Sequence, residues 1–328
     1  MVKIPEEYKS LKQIISTSKN GQTIISLPSS IQNSVGWSNY NKWHFVGGDI
    51  LSALLNNDFI SAIIFDNYMF SSSLSFWDYA VQKKVDEDKF INLLQKFSSK
   101  YIILHKDIPD HYIKASKNIY DTVETLVKAD KLKKLTDNSY FSFFELNNDY
   151  VVPVIYSNES EVYFINNSPV SYTIEIKNLK DKCTLYYNKT FSNHWNIYLL
   201  SHGSQDFSNI VYKYDTFNSV EYSGEQTKFD VNNFKILFLK KVFNNSHSVV
   251  NNYGNSWVLD KNYIINNFPK ESYKVNSDGS IDIKIILAND VQLFFYLGII
   301  LTSITLLVII LGFILKIKSS KNSKISGE

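Results

Sequence analysis

The sequence contains no arginine: all 34 of its basic residues are lysine. The planar, bidentate guanidinium suited to phosphate and carboxylate is therefore missing, so a phosphate site here would have to use lysine or backbone amides. Cysteine is nearly as scarce. Cys183 stands alone, which excludes an intramolecular disulfide and leaves stability to packing. It lies in "KCTLYYN", a strand-like stretch of the kind that holds a buried structural thiol rather than a reactive one. Charge of one sign is also lacking. The 34 basic and 32 acidic residues are interspersed, the net charge is +2, and no basic stripe is present, which argues against nucleic acid as a partner. No internal repeat of about 20–50 residues occurs. The opening "MVKIPEEYKSLKQIIS" has no apolar h-region, so a signal peptide is not expected.

One long hydrophobic run is present. Leu293 to Leu315 is 23 residues without a charge. As a helix at 1.5 Å per residue it would be about 35 Å long, enough to cross the hydrocarbon core of a bilayer. A buried core helix is rarely apolar on every face at this length. Lys316, Lys318, Lys321 and Lys324 follow the run, whereas Lys274 and Lys284 before it are offset by Asp278, Asp282 and Asp290. That asymmetry places the tail in the cytoplasm and the large domain outside, as a single-pass protein of the cell membrane. An outer domain without a signal peptide is expected to follow other spans, as the last part of a larger membrane protein.

The full chain, 44% hydrophobic and 15% aromatic, is ample for packed cores. Residues 1–148 alternate strand and helix signals. "TIISLP", "SAIIFD", "KYIILH" and "YFSFFEL" read as strands. Phe90, Leu93, Leu94 and Phe97 form one helical stripe behind acidic "DED", and Ala115, Ile119, Val123, Leu126 and Val127 form another that ends near "KLKK". This predicts an α/β layer whose sheet is at least partly parallel. After Tyr150 the period becomes two: Tyr172, Ile174 and Ile176, and later Ile281, Ile283 and Ile285, alternate with polar residues. With "TLYYN", "NIYLL", "KILFLK" and "SWVLD" between them, the pattern predicts an antiparallel β-sandwich, with "NSDGS" as the hairpin turn into its last strand. The expected chain is α+β: an α/β domain at 1–148, a β-sandwich at 149–291, a transmembrane helix at 292–315 and a lysine-rich tail at 316–328.

Candidate chemistry is sparse. In "HKDIPDH", His105, Asp107, Asp110 and His111 follow a predicted strand, and strand C-terminal ends are where α/β sheets tend to bind ligands. The spacing matches no known metal site, and Pro109 and Asp110 equally suit a turn and helix cap. "HGSQD" at His202 and "FVGGDI" are too short to define a triad or a phosphate loop. Asn-x-Ser/Thr sequons at Asn158, Asn166, Asn188 and Asn244 are about as many as chance gives in so asparagine-rich a chain. No catalytic residue, cofactor or metal is assigned.

Two aromatic stretches carry more information. "SPVSYTIEIKNLKDKCTLYYNKTFSNHWNIYL" includes Pro169, Tyr172, Phe191 and Trp195. "SHSVVNNYGNSWVLD" includes His247, Asn252, Tyr253, Gly254, Asn255, Ser256 and Trp257. Together with "KIPEEYKSLKQII" and "KFSSKYIILHKD", they resemble the C-terminal outer domain of multi-span membrane proteins of the GT-C glycosyltransferase type. The resemblance implies an outer domain in a system that handles lipid-linked glycans, exported by spans absent from this chain. It also implies a partner set of bilayer, glycan or lipid-linked sugar, and other membrane subunits. Acidic catalytic residues of such enzymes lie near their first spans, so none carries over and the chain by itself is expected not to be catalytic; the alternatives are a single-span surface protein that binds a ligand or protein partner, and a tail-anchored cytoplasmic enzyme using the "HKDIPDH" corner. Trp195 and Trp257 are candidate platforms for sugar rings, with His247, Asn252 and Asn255 bonding hydroxyls. The competing reading makes Trp257 a core residue and the Asn-Gly-Asn element a self-satisfied turn.

Overall fold

The computed structural model describes residues 5–17, 23–27, 34–35, 45–46, 59–61, 86–107, 114, 117–201, 210–214, 217–222, 236–251 and 253–325. Over these the chain is mixed α and β, ending in one long apolar helix. Its first part contains α1 (Glu6–Thr17), β1 (Thr23–Leu27), the short pair β2 (Ser34–Val35) and β3 (Phe45–Val46), and β4 (Phe59–Ser61). Then come α2 (Glu87–Lys96), β5 (Ser99–His105), α3 (Lys117–Lys128), β6 (Leu132–Asp137) and β7 (Phe141–Leu146). The sheet order is β4-β1-β5-β7-β6. β4, β1 and β5 run parallel, and β7 and β6 complete the edge antiparallel, which matches the expected partly parallel sheet.

Strand alternation divides β5 between two cores. Tyr101 and Ile103 pack with Ile24, Phe141 and Phe143 against Tyr8, Leu11 and Ile15, the apolar stripe of α1. Ile102 and Leu104 turn the other way, toward Phe90, Leu93 and Leu94 of α2 and Ile119, Val123 and Leu126 of α3. Asp86 caps α2 by accepting from the Asp88 and Lys89 amides, with Glu87 and Asp88 at the positive end of the helix dipole. As expected, α3 ends near "KLKK". The helix stops at Lys128, Asp130 takes a left-handed turn (φ 55°), and Leu132 begins β6 with its side chain buried.

The second part contains β8 (Ile155–Tyr156), β9 (Glu161–Ser168), β10 (Ser171–Leu179), β11 (Lys182–Tyr187), β12 (Trp195–Leu200), β13 (Ile210–Tyr214) and β14 (Ser219–Tyr222). It continues with β15 (Lys241–Val242), β16 (Ser248–Val250), β17 (Gly254–Asp260), α4 (Lys261–Asn267), β18 (Tyr273–Val275) and β19 (Ile281–Asn289). One sheet runs β13-β14-β9-β10-β19-β12-β15 with β18 beside β19; the other runs β16-β17-β11-β8. A single apolar cluster joins them: Ile174, Ile176, Ile197, Leu199, Ile283 and Ile285 of the larger sheet with Leu185, Tyr187, Trp257 and Leu259 of the smaller. The turn into β19 is the expected one, with Gly279 at φ +81° and its amide bonded to the Asn276 carbonyl at 3.0 Å.

Three features differ from the sequence-based expectation. Pairing is not wholly antiparallel, because β14 lies parallel to β9. β19 has no open face: Asp282 and Lys284 are buried too, and Ile286 and Ala288 join Tyr198, Leu200 and Ile236 in a second small cluster. Asp282 is accommodated by hydrogen bonds from the Asn178 amide and the Asn276 side chain. Finally, "KILFLK" is not a strand but a 3-10 turn at Ile236–Phe238.

The two parts meet in a built contact. Val151, Tyr214 and Tyr253 belong to the α2/α3 core, and the Tyr253 ring meets Phe97 edge-on at 4.8 Å. Ser98 donates to the Pro153 carbonyl and accepts from the Asn188 side chain, each at 2.9 Å. The Asn188 sequon is thereby closed, its amide nitrogen being committed to this junction.

Only Asp290 separates β19 from α5 (Val291–Ile325), whose Leu293–Leu315 segment is long and apolar enough to span a membrane and is exposed from Leu297 onward. Asp290 fixes the joint. Its carboxylate accepts from Asn196 at 3.0 Å and from Tyr198, and pairs with Lys241, while its amide donates to the His194 carbonyl at 2.9 Å. Tyr296 and Leu293, on the first turns of α5, pack back on the body.

Candidate functional site

The residues gathered most closely for chemistry lie at the C-terminal end of the parallel strands, on the α1 face. The parallel register of β1 and β5 sets Ser26 opposite Ile103, which carries its side chain to the same end of the sheet as His105. Ser26 Oγ lies 2.9 Å from His105 Nε2, and His105 Nδ1 lies 3.1 Å from Asp107 Oδ1. A carboxylate can only accept, so Nδ1 donates to it, and in the neutral ring Nε2 accepts from the Ser26 hydroxyl. The other Asp107 oxygen accepts from Tyr8 of α1 at 2.5 Å. The Tyr120 hydroxyl donates to the His105 carbonyl, and burial together with the Asp107 charge holds that phenol well above its ordinary range. Ser26, His105, Asp107 and Tyr8 are all buried. Hydroxyl, imidazole and carboxylate thus stand in the order of a nucleophile relay.

Of the strand-end cluster seen in the sequence, the structure brings His105 and Asp107 together, whereas Asp110 and His111 lie outside the described residues. Ser26 and Tyr8 were not singled out. The only available signal was that "TIISLP" reads as a strand of the same sheet; the adjacency of its Ser26 to His105, 79 positions later, is a fact of topology. "HGSQD" and the glycines of "FVGGDI" also lie outside the described residues. Among the described residues no group of three or more His, Cys, Asp or Glu side chains is placed to hold a metal ion.

The aromatic motifs converge elsewhere, in the core between the second and third sheets. Trp257 is 0% exposed, and Trp195, buried in the same apolar cluster, is met edge-on by the Tyr187 ring at 4.8 Å. The His247 ring is stacked on Trp257, with centroids 4.4 Å apart and planes at 8°, and Phe191 covers His247 at 5.0 Å. Burial lowers the His247 pKa, partly opposed by its hydrogen bond to Asn255. Asn255 is fully occupied: its nitrogen donates to the Lys189 and Thr190 carbonyls, and its oxygen accepts from the Ser192 amide and faces His247 Nε2 at 3.1 Å. Gly254 sits at a close approach, where a Cβ would stand 3.0 Å from the Tyr187 carbonyl and 3.1 Å from Val250 Cγ1. Asn252 lies outside the described residues. Trp195, His247, Asn255 and Trp257 are therefore brought together, but as packing that locks the segment after β11. The expectation of an open aromatic platform is corrected for Trp257, whose ring has no free face for a sugar.

A buried acid and base lie near the seam between the two parts. Burial pushes the Glu221 carboxyl up and the Lys189 ammonium down, each shift partly offset by the other's charge, and Tyr214 stands 3.4 Å from Glu221.

No protein-family model matches the chain, and no curated protein or solved structure matches it either.

Proposed function

We propose that this chain is a membrane-anchored, non-catalytic domain held on the outer surface of the cell membrane, serving a GT-C-like glycosyltransferase system that handles lipid-linked glycans. The observation that carries the anchoring is the Asp290 joint, where a fully packed strand passes into an unburied apolar helix with one residue between them. A joint bonded on both carboxylate oxygens transmits the orientation of the helix to the body, so the body is positioned at the bilayer rather than tethered to it. In this reading residues 149–291 form a β-sandwich above the membrane, residues 1–148 an α/β layer beyond it, and other membrane subunits complete the machine. The glycan part rests on the resemblance of the aromatic motifs, which would then be the architecture of the outer domain rather than its sugar contacts.

Sidedness is tested with single reporter cysteines at Ser277 and Ser326. The native background is low, because Cys183 is buried and its thiol pKa is pushed up to about 11. In intact cells, Ser277→Cys should react with a membrane-impermeant maleimide and Ser326→Cys only after permeabilisation. The reverse pattern would place the body in the cytoplasm.

The Ser26–His105–Asp107 chain favours a second reading, a tail-anchored hydrolase. Ser26 Oγ would attack a substrate carbonyl carbon as His105 takes its proton, His105 would return that proton to the departing alkoxide, and water would release the acyl group. A fluorophosphonate probe decides it. This reading requires covalent labelling of the native chain that Ser26→Ala abolishes, whereas the outer-domain reading requires none.

A further inference from the structure

Among the described residues, the turn at Ile236–Phe238 presents the most exposed hydrophobic side chain of the body. Phe238 is 89% exposed and Leu237 46%. The turn is not loose, because Ile236 is buried against Tyr198, Leu200, Ile286 and Ala288, and this same cluster includes Leu239 and the first span residue, Leu293. The exposed pair therefore projects from a packed base shared with the start of the membrane-spanning segment. Lysines follow at once: Lys240 lies over the Phe268 ring at 5.2 Å, and Lys241 pairs with Asp290 at the head of the helix. Phe294 and Phe295, one turn into α5, are exposed as well.

We propose that Leu237 and Phe238 are a second membrane contact, seated in the headgroup and upper acyl region beside the span, with Lys240 and Lys241 at the level of the lipid phosphates. This rests on the reading that α5 crosses the bilayer. Continuity decides the occupant: the patch shares its apolar base with Leu293, so a bilayer around the span starts beside it, and apolar tips followed by lysine have the composition of an interfacial anchor. Such anchors sit about 5–10 Å into the headgroup and acyl boundary. Two attachments, the span and the turn, prevent the body from tilting about Asp290.

The test uses the full chain with a single NBD-labelled cysteine at Phe238, Leu307 or Ser277, reconstituted at low protein-to-lipid ratio into phosphatidylcholine vesicles with and without phosphatidylglycerol. Leu307 lies within the span. Ser277 lies in the β18–β19 turn, at the opposite end of β19 from the helix. The label at 238 should be blue-shifted and quenched several-fold more by doxyl groups on the upper acyl chain than the label at 277, and more strongly with the anionic lipid. Quenching at 307 without quenching at 238 would overturn the second contact while leaving the span intact. No quenching at 307 would overturn both. A blue shift at 238 that persists without lipid quenching would assign the patch to a protein contact and overturn the proposal.

Discussion

Trp257→Ala should destabilise the chain by about 3–5 kcal/mol, the usual cost of emptying a large buried aromatic site. The ring is completely buried in the cluster that joins the two later sheets, which also holds Leu185, Leu259, Ile283 and Ile285, so its removal leaves a cavity in their shared core. It also removes the surface on which His247 is stacked, and with it one support of the Asn255 contacts that hold Lys189, Thr190 and Ser192. For a body of this size the loss corresponds to a drop in melting temperature on the order of 10 °C. The measurement is thermal unfolding of the detergent-solubilised native and variant chains, beside a glycan array. A variant that melts with the native chain but loses a glycan ligand would reinstate Trp257 as a sugar platform and refute the core assignment.

The legible part of this fold was what one residue's neighbours in sequence decide. The stripe Phe90, Leu93, Leu94 and Phe97 specified α2 and its buried face, and the Gly279 turn was written in "NSDGS". Where reading failed, the deciding partner was distant in sequence. Alternation in β19 predicted an exposed polar face, but Asp282 is buried because Asn178 and Asn276 come to meet it. "KILFLK" has strand composition, yet only Ile236 and Leu239 of its apolar residues pack, in a cluster completed by Leu293 at the start of α5.

The candidate sites divide in the same way. The aromatic motifs were visible because their residues are dense in sequence, and their meaning reversed once burial was known: an Asn-rich element that suggested hydroxyl recognition spends its amide on the backbone of the neighbouring segment. His105 and Asp107 were visible as a strand-end pair. Ser26 and Tyr8 became part of the same network only through the parallel pairing of β1 with β5 and the packing of α1.

Asp107→Ala is expected to be the other large loss, about 2–6 kcal/mol, since two buried donors lose their acceptor at about 1–3 kcal/mol each. The donors are the Tyr8 hydroxyl and His105 Nδ1, and they tie different elements, α1 and β5, to one carboxylate. The loss should be local before it is global: amides of α1 should exchange with solvent faster than those of β5, because Tyr8 is a polar tie of that helix as well as part of its apolar stripe. Tyr8→Phe should cost less than Asp107→Ala, and the double variant should be less destabilised than the sum of the two, since one bond is counted in both. Ser26→Ala, which gives up a single contact with His105, should cost about 1 kcal/mol. Chemical denaturation and hydrogen exchange of the four variants supply the measurements. A relay kept for catalysis behaves oppositely, because active-site groups are commonly held at the expense of stability and their removal is neutral or stabilising. An Asp107→Ala chain as stable as the native one, with α1 exchange unchanged, would therefore remove the structural account of this network and leave the hydrolase reading as its explanation.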